Sequence, residues 1–511
     1  MAGSMALTLV ERFLRGLEIS ANRSALRVGS EDVTYQQVHD TALIWAGALR
    51  ANGSPGPVGV LTGKSVTTYV GLLAVLYAGG TVVPLQPSFP AALTRRMMKT
   101  AGVGEVIADE RGLAVLPEVV RDDMTVRVLD NGGSATGFPL IPVSAESALA
   151  EPVEVELADP AYILFTSGST GIPKAVPIAH RGFAHYFDEM DRRLDFGPDD
   201  VLSQTFDLNF DPGIHDVFAA WGAGATLQAV PPSAYRDLPG FVAEHGITVW
   251  HSTPSGIWMA REMGALAKGA LDGLRWSFFG GEALRCQDVL DWLVAAPGSK
   301  VENLYGPTEF SIGVCWHRWA GEESQRRGVN GTVPIGKVHA VNDFRLVTEG
   351  GEQSAVEGEL WLTGPQISTG YLDPAENEGR FVVADGRRWY RTGDRVRAQP
   401  DGELAYLGRM DSQVKIHAWR VELAEVDHVV RACAGVLDAV TVTRSAAHGE
   451  ELVVFYTGDE VPDQELADGV GAVLPDTVLP RQYVHLESLP LNPNRKVDRL
   501  ALRKRAEELA G

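Results

Sequence analysis

The stretch Tyr162-Ile163-Leu164-Phe165-Thr166-Ser167-Gly168-Ser169-Thr170-Gly171-Ile172-Pro173-Lys174 constrains this chain more than any other. An apolar, aromatic-rich run that reads as a buried strand breaks into Thr, Ser and Gly alone. No side chain there is large enough to hold a ligand off the backbone, and the glycines permit dihedrals that turn successive N–H groups toward one anion. The hydroxyls of Thr166, Ser167, Ser169 and Thr170 add donors, and Lys174 adds a charge. The stretch reads as a phosphate cradle. It is not a Walker loop, whose pattern requires Gly-Lys-Ser/Thr in sequence, because Pro173 precedes Lys174. A flexible linker would rarely follow a buried strand and end in Pro-Lys.

Strand-like and helix-like runs alternate around this loop, which points to an α/β fold. Val58 to Leu61 reads as a strand, Val66 to Tyr77 as a helix stopped by Gly79-Gly80, and Thr81 to Leu85 as the next strand. Further strands are expected at Thr248 to His251, Trp276 to Phe279 and Val301 to Leu304. Open α/β sheets place ligands at the carboxyl ends of such strands. From Gly358 the texture changes to short alternating strands with Gly-rich turns, and it changes again near Leu407 to Asp411. At 511 residues the chain exceeds what one core serves. The expected division is 1–408 as a large N-terminal core and 409–511 as a small C-terminal domain.

The net charge of -21 argues against a nucleic-acid partner, since duplex binding relies on basic patches. No apolar run approaches the ~18 residues of a membrane span, so no membrane association is expected. The start of the chain lacks a secretory pattern. Cys286, Cys315 and Cys433 are few, odd in number and far apart, which suits a cytoplasmic location and offers neither a zinc site nor a disulfide framework. Against the acidic background, Arg495, Lys496, Arg499, Arg503 and Lys504 crowd the end of the chain.

Two later segments complement the cradle. Asn303-Leu304-Tyr305-Gly306-Pro307-Thr308-Glu309 puts a hydroxyl and a carboxylate just past a strand end, where Mg²⁺ can bridge phosphate oxygens. Tyr390-Arg391-Thr392-Gly393-Asp394 puts Asp394 on a Gly turn, suited to the vicinal hydroxyls of a ribose. Together they describe a nucleotide site with metal, sugar and phosphate partners.

Taken in order, these segments resemble the adenylate-forming superfamily of acyl-CoA synthetases, peptide-synthetase adenylation domains and luciferases. The resemblance runs from Val33-Thr34-Tyr35 and Gly79-Gly80-Thr81-Val82-Val83-Pro84-Leu85 through Gly358-Glu359-Leu360, Gly370-Tyr371-Leu372 and Gly408-Arg409-Met410-Asp411 to Lys496-Val497-Asp498-Arg499. It implies a large domain of layered α/β subdomains plus a β-rich subdomain, and a small, mobile α+β C-terminal domain. It also implies the chemistry: a substrate carboxylate attacks the α-phosphate of ATP, giving an acyl-adenylate and pyrophosphate. By the same resemblance, Thr166, Ser167, Gly168, Ser169, Thr170, Gly171 and Lys174 embrace the β/γ-phosphates, and Thr308 and Glu309 serve the α-phosphate and Mg²⁺. Tyr305 stacks near adenine, Asp394 holds the ribose, and Arg409 reaches the nucleotide from the hinge side. Lys496 stabilises the developing charge, and Asp411 is the hinge.

The segment Asn209-Phe210-Asp211-Pro212-Gly213-Ile214-His215-Asp216-Val217-Phe218 is similar to the first specificity segment of amino-acid-activating domains, where the Asp pairs with the substrate ammonium. Asp207 competes for that role, but the spacing to Asp216-Val217-Phe218 favours Asp211. A buried carboxylate without a partner is costly, so Asp211 in a pocket implies a cation. The remaining pocket positions implied are Pro212, His215, His251, Phe278, Gly280, Leu304, Ile312 and Gly313, closed by Lys496. Their mostly apolar lining suits a small or medium side chain. The Asp-Pro pair also resembles some β-amino-acid activators, and Phe279-Gly280-Gly281-Glu282 with the compact length resembles D-alanine–carrier ligases, so α, β, L and D substrates stay open.

Three positions depart from the pattern: Arg495 before the catalytic lysine, Ala418 where a glycine lines the pantetheine tunnel, and Thr477 in place of a tyrosine. None removes a catalytic group, and Ala418 bears most on thioester formation. The fifteen residues after Lys496 leave no room for a carrier domain, so the expectation is a freestanding ligase that loads a separate phosphopantetheinylated carrier protein. The terminal basic cluster is the expected docking patch for that carrier. The alternatives are an acyl- or aryl-CoA ligase and a non-catalytic homologue. Oligomeric state has no signature in the sequence.

Overall fold

The computed structural model describes residues 7–121, 124–132, 137–166, 173–410, 413–416, 419–447, 449–490 and 497–509. Two large sheets dominate. In the first, strands run in the order Leu140–Ile141, Arg127–Leu129, Glu105–Ala108, Pro57–Leu61, Thr81–Leu85, Pro160–Thr166 and Lys174–Ala179. All neighbours are parallel except the last pair, which is antiparallel with Thr166 opposite Lys174. The phosphate-cradle segment is therefore the connection of an antiparallel pair. In the second sheet a parallel centre of Lys300–Tyr305, Trp276–Gly280, Val249–Ser252, Val201–Gln204, Thr226–Ala229 and Ser24–Val28 is flanked by antiparallel strands.

The helix Val66–Tyr77 shows why the sheets stack. It carries no charged residue and every residue from Thr68 to Tyr77 is buried, so it has no face for water. Gly79, at φ 71°, follows it in the left-handed region that only glycine adopts without strain. One apolar cluster joins this helix to Val58 and Val82 of the first sheet and to Leu227, Phe278 and Leu304 of the second. The neighbouring Phe279 points into a separate cluster with Trp250 and Trp292. Strands covered on both faces are what a parallel sheet layered between helices requires.

A six-stranded antiparallel sheet follows, including Glu357–Thr363, Arg387–Ala398 and Leu404–Arg409. Its core contains Leu360, Leu362 and Tyr390 and continues into Tyr305 and Phe310. That continuity fixes the sheet against the end of Lys300–Tyr305. The chain then forms a hairpin, Gln413–Ile416 with Trp419–Glu422, and a three-stranded sheet, Val436–Ala446, Gly449–Gly458 and Gln482–His485. The helices Leu423–Arg431 and Arg499–Glu508 pack through separate apolar clusters of this sheet.

Candidate active site

Parallel strands deliver the pocket residues at their carboxyl ends. His251 lies beside Phe278, and Gly280 beside Leu304, across adjacent strands. Asp211 opens the helix Asp211–Gly222, with Pro212 next, a first-turn position that costs no hydrogen bond. Asp207 is exposed, whereas Asp211 is 8 % exposed.

The amide of Ile312 donates to the Asp211 carboxylate at 3.2 Å. It does so from φ 71°, after Ser311 at φ 54°. A β-branched residue in the left-handed region costs on the order of 1–3 kcal/mol and persists only where its surroundings fix it. Gln366 supplies that fixing. Its Nε2 lies 3.3 Å from the carbonyls of Phe310 and Ser311 and 3.0 Å from that of Gly313, while its own carbonyl accepts from the Ser311 hydroxyl. Gly306 has to be glycine, since a Cβ there would stand 2.4 Å from the Ile312 carbonyl oxygen. Burial pushes the Asp211 carboxyl up to about 7, with the Ile312 amide opposing and the Glu309 charge adding to the rise.

The nucleotide-type residues form a second group. Tyr305, at its strand end, donates to Asp394 at 2.5 Å, and Arg409, opposite Asp394 in the register, donates to the same carboxylate at 2.9 Å. Burial and the Asp394 charge push the Tyr305 phenol well up, so it is a donor. Glu309 is fully buried in the turn Thr308–Phe310 and accepts from Tyr371 at 2.5 Å. Lys174 pairs with Glu376 at 2.5 Å, and its ammonium lies 5.1 Å from the Tyr371 ring centre. Thr166 ends its strand, buried beside Lys174.

A cavity of about 860 Å³ runs from Asn303, Tyr305 and Arg409 to Arg499 and Arg503. That size suits a nucleotide-scale ligand. The C-terminal hairpin closes over this region: Trp419 packs edge-on to Phe210, beside Asp211, at 4.7 Å, and Lys415 stands 5.6 Å from the Tyr305 ring centre. Within the basic cluster, Arg499 is spent internally, donating to Asp427 at 2.6 Å and to the Thr441 carbonyl at 2.7 Å. Arg503 is half exposed, 3.6 Å from Glu450.

Direct contacts join His215, His251 and Phe278, pair Asp211 with Ile312 and set Gly280 beside Leu304, while Tyr305 and Arg409 share the Asp394 carboxylate and Glu309 and Lys174 both meet Tyr371; of these residues Leu304, Tyr305 and Arg409 line the large cavity. Ser167, Gly168, Ser169, Thr170, Gly171, Asp411, Ala418, Arg495 and Lys496 lie outside the described residues. Sequence reasoning missed Gln366, Tyr371, Lys415, Tyr186, Asp216 and Lys64. Tyr371 and Asp216 stood inside segments already quoted; Gln366 and Lys64 carried no signal, because their partners are backbone carbonyls distant in sequence.

The model of the AMP-binding enzyme family matches residues 15–372. The structure is similar to the crystal structure of IdnL7, with 52% identity, 99% of this chain and 100% of that chain covered, and a TM-score of 0.77. It is also similar to the Vibrio cholerae adenylation domain AlmE, solved in complex with glycyl-adenosine-5'-phosphate, at 28% identity, with 98% and 97% covered and a TM-score of 0.87. A third likeness is holo-PA1221, described as an NRPS protein containing adenylation and PCP domains, at 27% identity, with 98% and 84% covered and a TM-score of 0.80. The curated relatives it matches include nonribosomal peptide synthases, and the chain spans less than half of their length. With more than two thirds of its residues under the family model, the chain belongs to the AMP-binding enzyme family.

Proposed function

We propose that this protein activates an amino acid with ATP as an aminoacyl-adenylate and transfers it to the phosphopantetheine thiol of a carrier protein, in natural-product assembly. The observation that carries the reading is Asp211: a buried carboxylate at a pocket end, met by one backbone amide and raised to about 7 by burial. An ammonium group beside it would restore the ionised form, since an opposite charge within reach favours it. An aryl or acyl acid brings no such group. The glycyl-adenylate bound by AlmE and the carrier domain of PA1221 support the same reading.

In the first step a carboxylate oxygen of the substrate bonds to the α-phosphorus of ATP as the bond to the bridging oxygen breaks, and pyrophosphate leaves. Asp211 orients the amine, Tyr305 and Asp394 hold adenine and ribose, and Lys174 with the 166–171 segment holds the outer phosphates. Lys496 serves the α-phosphate. Fixed charge and in-line positioning are what this chemistry needs. Glu309 and Thr308 offer a buried carboxylate and a neighbouring hydroxyl, hard oxygen donors that suit Mg²⁺, which would neutralise phosphate charge. In the second step the carrier thiol sulfur bonds to the acyl carbon and AMP leaves, with domain 409–511 rotating about Asp411. The hairpin bearing Trp419 and Lys415, seated beside Asp211 and Tyr305, supports this role for the small domain. No described helix is long and apolar enough to cross a membrane, and Cys286, Cys315 and Cys433 are free thiols, which suits a cytoplasmic enzyme.

The test is mass spectrometry of hydroxamates trapped from protein, ATP, Mg²⁺ and a panel of L-, D- and β-amino acids. The expected result is one class of aminoacyl hydroxamate, and a carrier that gains the same acyl group. Hydroxamates only from acids without an amine would reject the reading.

A further inference from the structure

The Lys174 ammonium is already in company. It lies 2.5 Å from the Glu376 carboxylate and 5.1 Å from the centre of the Tyr371 ring, and its side chain is 8 % exposed. Both partners come from one short stretch, Gly370 to Asn377, and local bonds explain how they reach it. The Leu372 amide donates to the Ala175 carbonyl at 3.0 Å, which fastens the stretch to the strand that Lys174 opens. The Tyr371 amide donates to the Asn377 side chain at 2.9 Å. Asp373 caps the turn Pro374–Asn377, which carries Glu376, by accepting from the Ala375 amide at 2.9 Å.

The same stretch touches the candidate metal ligand. The Tyr371 hydroxyl donates to Glu309 at 2.5 Å, so one ring serves both the Lys174 ammonium and that buried carboxylate. Glu376 differs from Glu309 in keeping 21 % of its side chain exposed, so it can be altered without opening a core.

An ammonium has three hydrogens, so Lys174 can keep Glu376 and still donate to a phosphate. A phosphate that meets Lys174 then also meets the field of Glu376, a like charge on the far side of the same ammonium. The pair attracts that phosphate less than a lone ammonium would. The weakening falls on ligands with outer phosphates, ATP and pyrophosphate, and spares AMP, which has none.

We propose that Glu376 is the counter-ion that limits how tightly Lys174 holds the outer phosphates, so that pyrophosphate leaves once the adenylate has formed. It is a positioning residue, acting through Lys174. The proposal rests on the ATP half of the reading above and is independent of which acid is activated.

The experiment is calorimetric titration of the full chain with magnesium pyrophosphate, magnesium ATP and AMP, in the parent and in Glu376→Gln, Glu376→Ala and Glu376→Asp. Gln keeps the shape and an oxygen that accepts from Lys174, and removes only the charge. The Kd for pyrophosphate in Glu376→Gln should fall at least about fivefold, ATP should move the same way, and AMP should stay within about twofold of the parent. Glu376→Asp, which keeps the charge, should stay near the parent. In pyrophosphate exchange the KM for pyrophosphate should fall while the KM for the substrate acid holds. A merely structural role predicts the reverse, since a loosened Lys174 would bind pyrophosphate less well. Thermal melting identifies a misfolded variant, and Glu376→Ala carries the comparison if Glu376→Gln is one. Unchanged or weaker pyrophosphate binding in a folded neutral variant would overturn the proposal. So would tightening in Glu376→Asp equal to that in Glu376→Gln, or loss of folding in both neutral variants. A parent that binds neither ATP nor pyrophosphate would instead reject the ATP reading itself.

Discussion

The Ile312 amide reaches the Asp211 carboxylate at 3.2 Å from a left-handed backbone, φ 71°, so the pocket's charge is held by a strained turn. That geometry makes Asp211 the hinge of the pH behaviour. Its carboxyl ionises near pH 7 when folded and near 3.8 when unfolded. Between those values the folded chain binds more protons than the unfolded one, so its contribution to stability falls as pH rises from about 4 to about 7, then levels off. Relative to the parent, Asp211→Asn should gain about 2–4 kcal/mol between pH 4 and pH 8, read from denaturant midpoints. No pH-dependent difference between the two proteins would contradict the raised carboxyl.

The same titration governs binding. Only the ionised carboxylate pairs with an ammonium, so kcat/KM for the amino acid should fall about tenfold per pH unit below pH 7. The KM for ATP should not share that limb. A flat amino-acid profile from pH 6 to 8 would show that Asp211 titrates elsewhere.

Gln366→Leu removes the donor that bridges the Phe310, Ser311 and Gly313 carbonyls. Leaving buried acceptors unpaired costs about 1–3 kcal/mol, and the turn loses its clamp. We expect a lower melting temperature and a KM for the amino acid raised about tenfold or more, with a smaller change for ATP. Unchanged amino-acid KM would mean that the turn holds itself.

How much of this was legible in the sequence depended on where each signal lay. The helix Val66–Tyr77, its glycine stop and the strands ending at the pocket could be read from local patterns, because burial on every side writes itself as an unbroken apolar run. Asp211 was singled out through the resemblance of its segment to the first specificity segment of amino-acid-activating domains. Its partner was not: Ile312 acts through its backbone, and nothing in the string Ser311-Ile312-Gly313 announces a positive φ at a β-branched residue. The histidines were visible as residues but their partners were not, since Tyr186 and Asp216 reach them only through the fold. The basic cluster looked uniform in sequence, yet Arg499 is bound to Asp427 while Arg503 stays half exposed.

That split narrows the docking patch expected for a carrier to Arg503 and Lys504. Reversing charge at Arg503 and Lys504, while sparing the internally bonded Arg499, should raise KM for an acidic carrier and weaken its salt dependence. Pyrophosphate exchange should stay as it was. Equal carrier KM in parent and variant across low and high salt would remove this surface from the docking account.

The central claim, that Asp211 makes this an amino-acid-activating enzyme, is tested most directly by ATP–pyrophosphate exchange in the parent and in Asp211→Ala, with the preferred amino acid and its desamino analogue. Breaking a buried charge pair costs roughly 3–5 kcal/mol, so the amino-acid signal should drop more than a hundredfold in the variant while ATP binding persists. An Asp211→Ala protein that keeps amino-acid-dependent exchange, or a parent that prefers the desamino acid, would contradict the account.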